Sequence, residues 1–308
     1  MSKVSQITDQ LIRQAGKVVA GKEEQIRLIW VSLLCGGHVL LEDLPGVGKT
    51  TLAQSLGTLL GLDYQRIQFT ADLLPSDIIG AQIFDRDKQD FRFHKGPVFT
   101  QLLLADELNR ATPKAQSALL EAMEESQVSI DGRAEALPAP FFVIATQNPQ
   151  SQSGTYPLPE SQLDRFFIRL SLGYPEENVE KQLLLGNVGR GKLDNLKPLF
   201  TVAEFLAMSS EVRQINISDE VLAYIMRLVK RTRDQSLCTI GLSPRASQSL
   251  AMAARAYALV SGRDYVIPDD VQAVFPSVAG HRLKAQRSLG MDSLVNKIME
   301  SVDVVGEG

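Results

Sequence analysis

The sequence predicts an α/β fold: a five-stranded parallel sheet wrapped by helices, followed by a C-terminal all-helical domain. Three observations predict it. Up to about Leu172, short apolar runs alternate with helical patterns, the order expected of a parallel sheet covered by helices. One of those runs passes straight into a glycine-bearing loop and then a helical pattern. After Pro175 the strand signals stop and helix-start signals take over.

His38-Val39-Leu40-Leu41 reads as a buried first strand, and Tyr64 to Thr70, where Ile67 and Phe69 alternate, as a second. Leu102-Leu103-Leu104-Ala105 is the third, Phe141 to Thr146 the fourth and Phe167 to Leu172 the fifth. Strands with intervening helices fit a doubly wound sheet. Ile83 to Lys95 alternates around the charged centre Asp85-Arg86-Asp87-Lys88 and reads as a hairpin; Gln127 to Arg133 holds Asp131-Gly132, a strong hairpin signal. Further on, Ser218 suits a helix N-cap before Val221, Leu222, Ile225, Met226, Leu228 and Val229. Ser243-Pro244 starts an alanine-rich helix ending near Gly262, and Val266 to Asp270 opens another. Gly186 to Pro198, rich in Gly, Asn and Lys, is the candidate linker, which divides the chain into domains 1–185 and 186–308.

Composition narrows the classes. The 308 residues are 44% hydrophobic and 22% charged, as in soluble globular proteins. A net charge of -4 supplies no global field for nucleic acid or an anionic membrane. The N-terminus lacks the apolar run of a secretory signal, and Leu28 to Cys35 is far short of the ~20 apolar residues that span a bilayer. A cytoplasmic protein without direct membrane insertion is expected. Cys35 and Cys238, and the scattered His38, His94 and His281, have no metal-site or disulfide spacing.

The chemistry is concentrated in the first domain. The loop Pro45-Gly46-Val47-Gly48-Lys49-Thr50-Thr51 lies between the first strand and a helix. Such a turn points backbone N–H groups at a phosphate, which glycine lets approach closely. Lys49 is placed to reach the terminal phosphates and the Thr50 hydroxyl to serve a Mg²⁺ ion. The full G-x-x-x-x-G-K-[ST] pattern is not met, since Asp43 stands where the first glycine belongs. The third strand ends in Asp106-Glu107. Asp106 suits the Mg²⁺ shell and Glu107 the polarisation of an attacking water, although two carboxylates also suit an acidic helix cap. The fourth strand delivers Asn148 to the sheet edge where ligands sit; an asparagine before proline is also a common turn former. Arg165, before the fifth strand, and Arg245, in the first turn after Ser243-Pro244, could neutralise phosphoryl charge or merely form surface ion pairs.

These motifs, in this order, resemble the MoxR family of AAA+ ATPases. The resemblance covers nearly the whole chain and is most specific at Leu41 to Thr50, Asp106 to Ala111, Gln116 to Glu125, Ala145 to Pro149 and Gly154 to Glu160. Asp43 in place of glycine is similar to what many members show. The resemblance implies an AAA+ nucleotide-binding domain with a helical lid, binding ATP and Mg²⁺. It implies Asn148 as sensor 1, Arg245 as sensor 2, and Arg165 as the finger completing a neighbouring subunit's site. The Ile83–Lys95 segment resembles the family's helix-2 insert, and 127–137 its hairpin before sensor 1. A homo-oligomeric, hexameric ring with a chaperone-like role is implied too, working on a protein client such as a von Willebrand factor A domain partner. Two other readings remain at this point. A DNA-handling motor is disfavoured by the charge of -4, so no nucleic acid is expected. A GTP switch would carry Asn-Lys-x-Asp, whereas Asn296-Lys297 is followed by Ile298-Met299.

Overall fold

The computed structural model describes residues 2–130, 132–148, 154–186, 188–286 and 290–305. Asp131 of the second hairpin and Pro149 after Asn148 lie outside the described residues.

Two helices precede the sheet, α1 (Lys3–Gly16) and α2 (Glu23–Leu34). Then come β1 (Val39–Glu42), α3 (Lys49–Leu60), β2 (Tyr64–Gln68) and α4 (Pro75–Ile79). An antiparallel hairpin, β3 (Gly80–Asp85) and β4 (Asp90–Lys95), precedes β5 (Leu102–Asp106) and α5 (Pro113–Glu125). A second hairpin, β6 (Gln127–Ile130) and β7 (Arg133–Ala136), leads to β8 (Phe142–Gln147), α6 (Glu160–Leu163) and β9 (Ile168–Leu170). The remainder holds α7 (Glu177–Leu184), α8 (Val202–Glu211), α9 (Asp219–Thr232), β10 (Cys238–Ile240), α10 (Pro244–Val260), α11 (Pro268–Ala279), β11 (Lys284–Ala285) and α12 (Met291–Glu300).

The five expected strands form one sheet in the order β2-β5-β8-β1-β9, every neighbouring pair parallel. Side chains of a strand point alternately to opposite faces, so strands buried on both sides divide their residues between two cores. Val39, Leu41, Leu102, Leu104, Phe142 and Ile144 pack into the core shared with α1, α2, α3 and the C-terminal helices. Leu40, Leu103, Ala105, Val143 and Ala145 face the other core, under α5. The first core runs without a break from the sheet into α9, α10, α11 and α12, so the helical region shares apolar packing with the sheet. Leu52, Leu56, Leu59 and Leu60 of α3 are fully buried, as their spacing predicts.

Both serine caps form: Ser218 accepts the Val221 amide and Ser243 the Ala246 amide. Three details of the helical region differ from the sequence reading. Leu222 and Met226 of α9 face outward, 38% and 56% exposed; Tyr224 and Thr232 complete the buried stripe with Val221, Ile225, Leu228 and Val229. The helical region carries a small antiparallel ribbon, β10 with β11. The candidate linker contains a 3₁₀ turn over Arg190–Asn195, and Leu193 and Leu196 are buried.

The first hairpin begins at Gly80, before the expected Ile83. Its base needs glycine: a Cβ on Gly96 would lie 2.3 Å from the Ile78 carbonyl oxygen. Asp85 caps its charged turn by accepting the Asp87 and Lys88 amides.

Candidate active site

The C-terminal ends of the parallel strands converge, which is where an open α/β sheet presents ligands. A cleft of about 270 Å³ there is lined by Pro45, Gly46, Gly48, Lys49, Thr50, Thr51, Asp106, Glu107, Thr146, Gln147 and Asn148. The structure thus gathers the loop after β1, the carboxylates after β5 and the amide after β8. Val47 lies on the adjoining side of the same loop, lining a second cavity of about 220 Å³ with Val18, Val19, Ala20, Pro175, Val179 and Leu183. Gly46, Gly48 and Thr51 line both spaces. A polar cradle that opens into an apolar slot suits a molecule with phosphates at one end and a flat ring at the other.

The loop conformation depends on its glycines. Gly46 and Gly48 have φ of +87° and +95°, a region L side chains avoid. A Cβ on Gly46 would meet nothing within 4 Å, so the backbone there faces open space. The Lys49 ammonium donates to the carbonyls of Asp43 at 2.7 Å and Leu44 at 2.8 Å, folded back over the loop it would serve. Burial lowers its pKa from the ordinary lysine value, while Asp43, Asp106 and Glu107 oppose the shift.

Asp43 explains its own departure from the glycine pattern. Its Oδ2 accepts from the Ser171 hydroxyl and from the Leu172 and Gly173 amides, and its Oδ1 from the Leu44 amide. The carboxylate ties the loop to the segment leaving β9. A glycine would make none of these bonds.

Asp106 is held from three sides. Its Oδ1 accepts the Thr146 hydroxyl at 2.6 Å, and that hydroxyl in turn accepts the Glu107 amide at 2.9 Å. Its Oδ2 accepts the Thr50 hydroxyl at 3.3 Å and the Arg66 guanidinium at 2.7 Å. Glu107 has left-handed backbone, φ 57° and ψ 46°, and its Oε2 accepts Gln68 Nε2 at 3.0 Å and Arg110 Nη1 at 2.8 Å. Asn148 lines the cleft, its backbone carbonyl accepting Asn109 Nδ2 at 3.3 Å.

The residues fit Mg²⁺ with a nucleotide. Thr50 Oγ1 and Asp106 Oδ2 are hard oxygen donors brought side by side, and Mg²⁺ is commonly held by one or two such groups together with phosphate oxygens and water. The glycine cradle fits the phosphates.

The two arginines lie elsewhere in the protomer. Arg165 and Arg245 are not among the residues lining the cleft. Arg165 donates to the Leu120 carbonyl at 2.7 Å and pairs with Glu124 at 2.8 Å. Arg245 pairs with the other oxygen of Glu124 at 3.2 Å. One carboxylate of α5 therefore joins them on a shared face. Arg66, Gln68 and the apolar slot had no sequence signal that the motif spacing could register; Arg110 and Glu124 lay within the motif stretches, but nothing in the sequence gave their partners.

A strand-order of this kind with a lysine loop, a paired carboxylate and a helical lid defines an AAA ATPase. The family model of ATPases associated with various cellular activities matches residues 38–168, and that of the AAA lid domain matches 230–300. The chain is 43% identical to YeaC of Bacillus subtilis, over 95% of this chain and 93% of that protein. It is 38% identical to Chaperone MoxR1 of Mycobacterium tuberculosis, over 96% of this chain and 81% of that one. A crystal structure from Cytophaga hutchinsonii, assigned as an ATPase, superposes with a TM-score of 0.87 at 36% identity, covering 97% and 95% of the two chains. The chain belongs to the MoxR family of AAA+ ATPases.

Proposed function

We propose that this protein hydrolyses ATP in a Mg²⁺-dependent reaction within a homo-oligomeric, hexameric ring, and that turnover remodels a protein client. The observation that carries the proposal is the cleft itself, where Lys49, Thr50, Asp106, Glu107 and Asn148 converge beside an apolar slot. In this reading the amides from Gly46 to Thr51 cradle the phosphates and Val18, Val19, Val47 and Leu183 pack against adenine. The Lys49 ammonium leaves its two loop carbonyls for the terminal phosphates. Bound Mg²⁺, held by Thr50 and Asp106, supplies charge neutralisation at the phosphate oxygens. Glu107 accepts a proton from the attacking water while Asn148 orients it. The water–phosphorus bond forms, the bond to the leaving ADP oxygen breaks, and phosphate departs.

Gln68 and Arg110 both hold Glu107 Oε2, so those two residues set its resting position. Arg165 would act in trans as the finger of a neighbour's site, with Arg245, read as sensor 2, beside it. That neither of them lines its own cleft supports that placement. Phe84 and Phe91 of the first hairpin pack edge to face at 5.2 Å and stay 45% and 64% exposed. Exposed aromatics of this kind suit contact with a protein client. The chaperone named among the relatives supports remodelling, and a von Willebrand factor A domain partner rests on the family resemblance. No helix among the described residues is long and apolar enough to cross a membrane; a cytoplasmic setting is part of the proposal.

Glu107→Gln tests it. The variant is expected to hold a fluorescent ATP analogue as the parent does, while phosphate release falls by about 100-fold or more, the range for losing a general base. Undiminished release would remove Glu107 from the mechanism.

A further inference from the structure

The loop that carries Arg165 is gripped by one buried side chain from the helical region. Arg282 lies between α11 and β11, with 4% of its side chain exposed. Its Nε donates to Asp164 Oδ1. Its Nη2 donates to the carbonyls of Asp164 at 3.3 Å and Phe166 at 2.8 Å, and its Nη1 to that of Phe167 at 3.0 Å. The adjacent His281 ring nitrogen Nε2 also meets the Phe166 carbonyl, at 2.9 Å.

The gathered carbonyls flank Arg165 on both sides in sequence. A guanidinium offers five N–H donors in a fixed planar fork, and an ammonium on a flexible stem does not reproduce that pattern. A charge this far from water is maintained only by such complete pairing. The grip therefore sets where the backbone at 164–167 lies, and through it where the Arg165 side chain starts. Leu120 and Glu124 hold only the far end of that side chain.

We infer that Arg282 is the positioning residue for Arg165, making the helical lid and the finger loop one moving part. A lid that moves carries with it the arginine offered to the next subunit. The inference rests on reading Arg165 as acting in trans.

The test uses full-length Arg282→Lys and Asp164→Asn, each alone and each mixed with Glu107→Gln protein, with Arg165→Ala mixed likewise as control. Asp164 is 26% exposed at its side chain, so its variant keeps the test decisive should Arg282→Lys not fold. Each variant is expected to bind a fluorescent ATP analogue within about twofold of the parent, because neither residue lines its own cleft. Hydrolysis alone should fall by about 100-fold, the scale of a misplaced catalytic group. Backbone amides at 164–167 should exchange faster. Mixing with Glu107→Gln should restore turnover, since a protomer with an intact Glu107 then receives a well-held Arg165 from its neighbour. A merely structural role would not be complemented in this way.

Parental hydrolysis by both variants overturns the inference, as does loss of nucleotide binding in step with hydrolysis. So does recovery in the Arg165→Ala mixture with none in the other two. If the Arg165→Ala mixture itself recovers nothing, the trans reading fails and the inference with it.

Discussion

At Gly48 the chain takes a φ of +95°, and an added Cβ would find only Val19 within 4 Å, at 3.9 Å. The position is roomy within the protomer yet borders both the cradle and the apolar slot. Gly48→Ala should therefore separate two effects. Left-handed backbone costs an alanine about 1–2 kcal/mol, so the thermal midpoint falls modestly. The methyl group also intrudes on the ligand's space, and nucleotide affinity should drop by about 10-fold or more, beyond what that strain alone implies. Titration with a fluorescent nucleotide beside a melting curve checks both; equal affinity with a lowered midpoint would confine Gly48 to the fold. The network around the acidic pair is also a matter of single residues. Thr146 binds Asp106 and Glu107 through one hydroxyl, and Arg66 and Gln68, on the edge strand β2, reach the two carboxylates from the side.

At the scale of elements, His38 joins the sheet to α5. The Val143 amide donates to Nδ1, so Nε2 carries the hydrogen and donates to the Met123 carbonyl at 3.1 Å. Burial lowers the His38 pKa from 6.5 to about 4, with the Met123 bond opposing. The unfolded chain therefore takes up a proton more readily than the folded one. Stability contributed by neutral His38 is complete above pH 6.5 and is lost as pH falls from 6.5 towards 4. The loss approaches about 3 kcal/mol at the acid end. His281 is depressed in the same direction, first by its burial. His38→Gln keeps a donor and an acceptor without titrating, so its midpoint should decline less than the parent's between pH 7 and 5. Parallel decline of the two proteins would dismiss the buried ring as a cause.

The elements also show what a sequence can and cannot express. The five strands were legible because apolar runs and turns are local; which of their residues face which core was read only from the folded sheet. The lysine loop and Asp106-Glu107 were legible because strand, loop and helix are contiguous. The roles of Asp43, Arg66 and Glu124 were not. Each depends on a partner many residues away, as in Asp43 with Leu172 or Arg66 with Asp106, and only the folded sheet supplies such neighbours. The outward turn of Leu222 and Met226 was missed for a related reason: helical spacing allows a broad apolar stripe, and packing against α10, α11 and α12 determines which part is covered.

For the molecule as a whole, the proposed ring makes a direct prediction about mass. The 33.8 kDa chain should assemble with ATP in the Glu107→Gln variant into a particle of six copies by light scattering. Replacing the carboxylate that joins the two arginines by a third cation, Glu124→Arg, should disfavour assembly or hydrolysis while leaving the isolated chain folded. A Glu107→Gln protein that stays monomeric with ATP at every concentration tried would count against the ring. The continuous core between the sheet and the C-terminal helices bears on how such a ring would move. The helical region cannot swing freely without exposing apolar surface, so small rotations about a packed contact are favoured over wide opening.

The left-handed turn at Glu107 has one more consequence. A side chain other than glycine, asparagine or aspartate is uncomfortable there, yet that turn is what sends the carboxylate out of the strand line and into the cleft. Glu107→Gly should melt at or above the parent's temperature, relieved of about 1 kcal/mol of backbone discomfort, and be inert. Heat resistance and turnover thus pull this residue in opposite directions. A lineage selected for durability alone would be drawn to abandon its chemistry at this position.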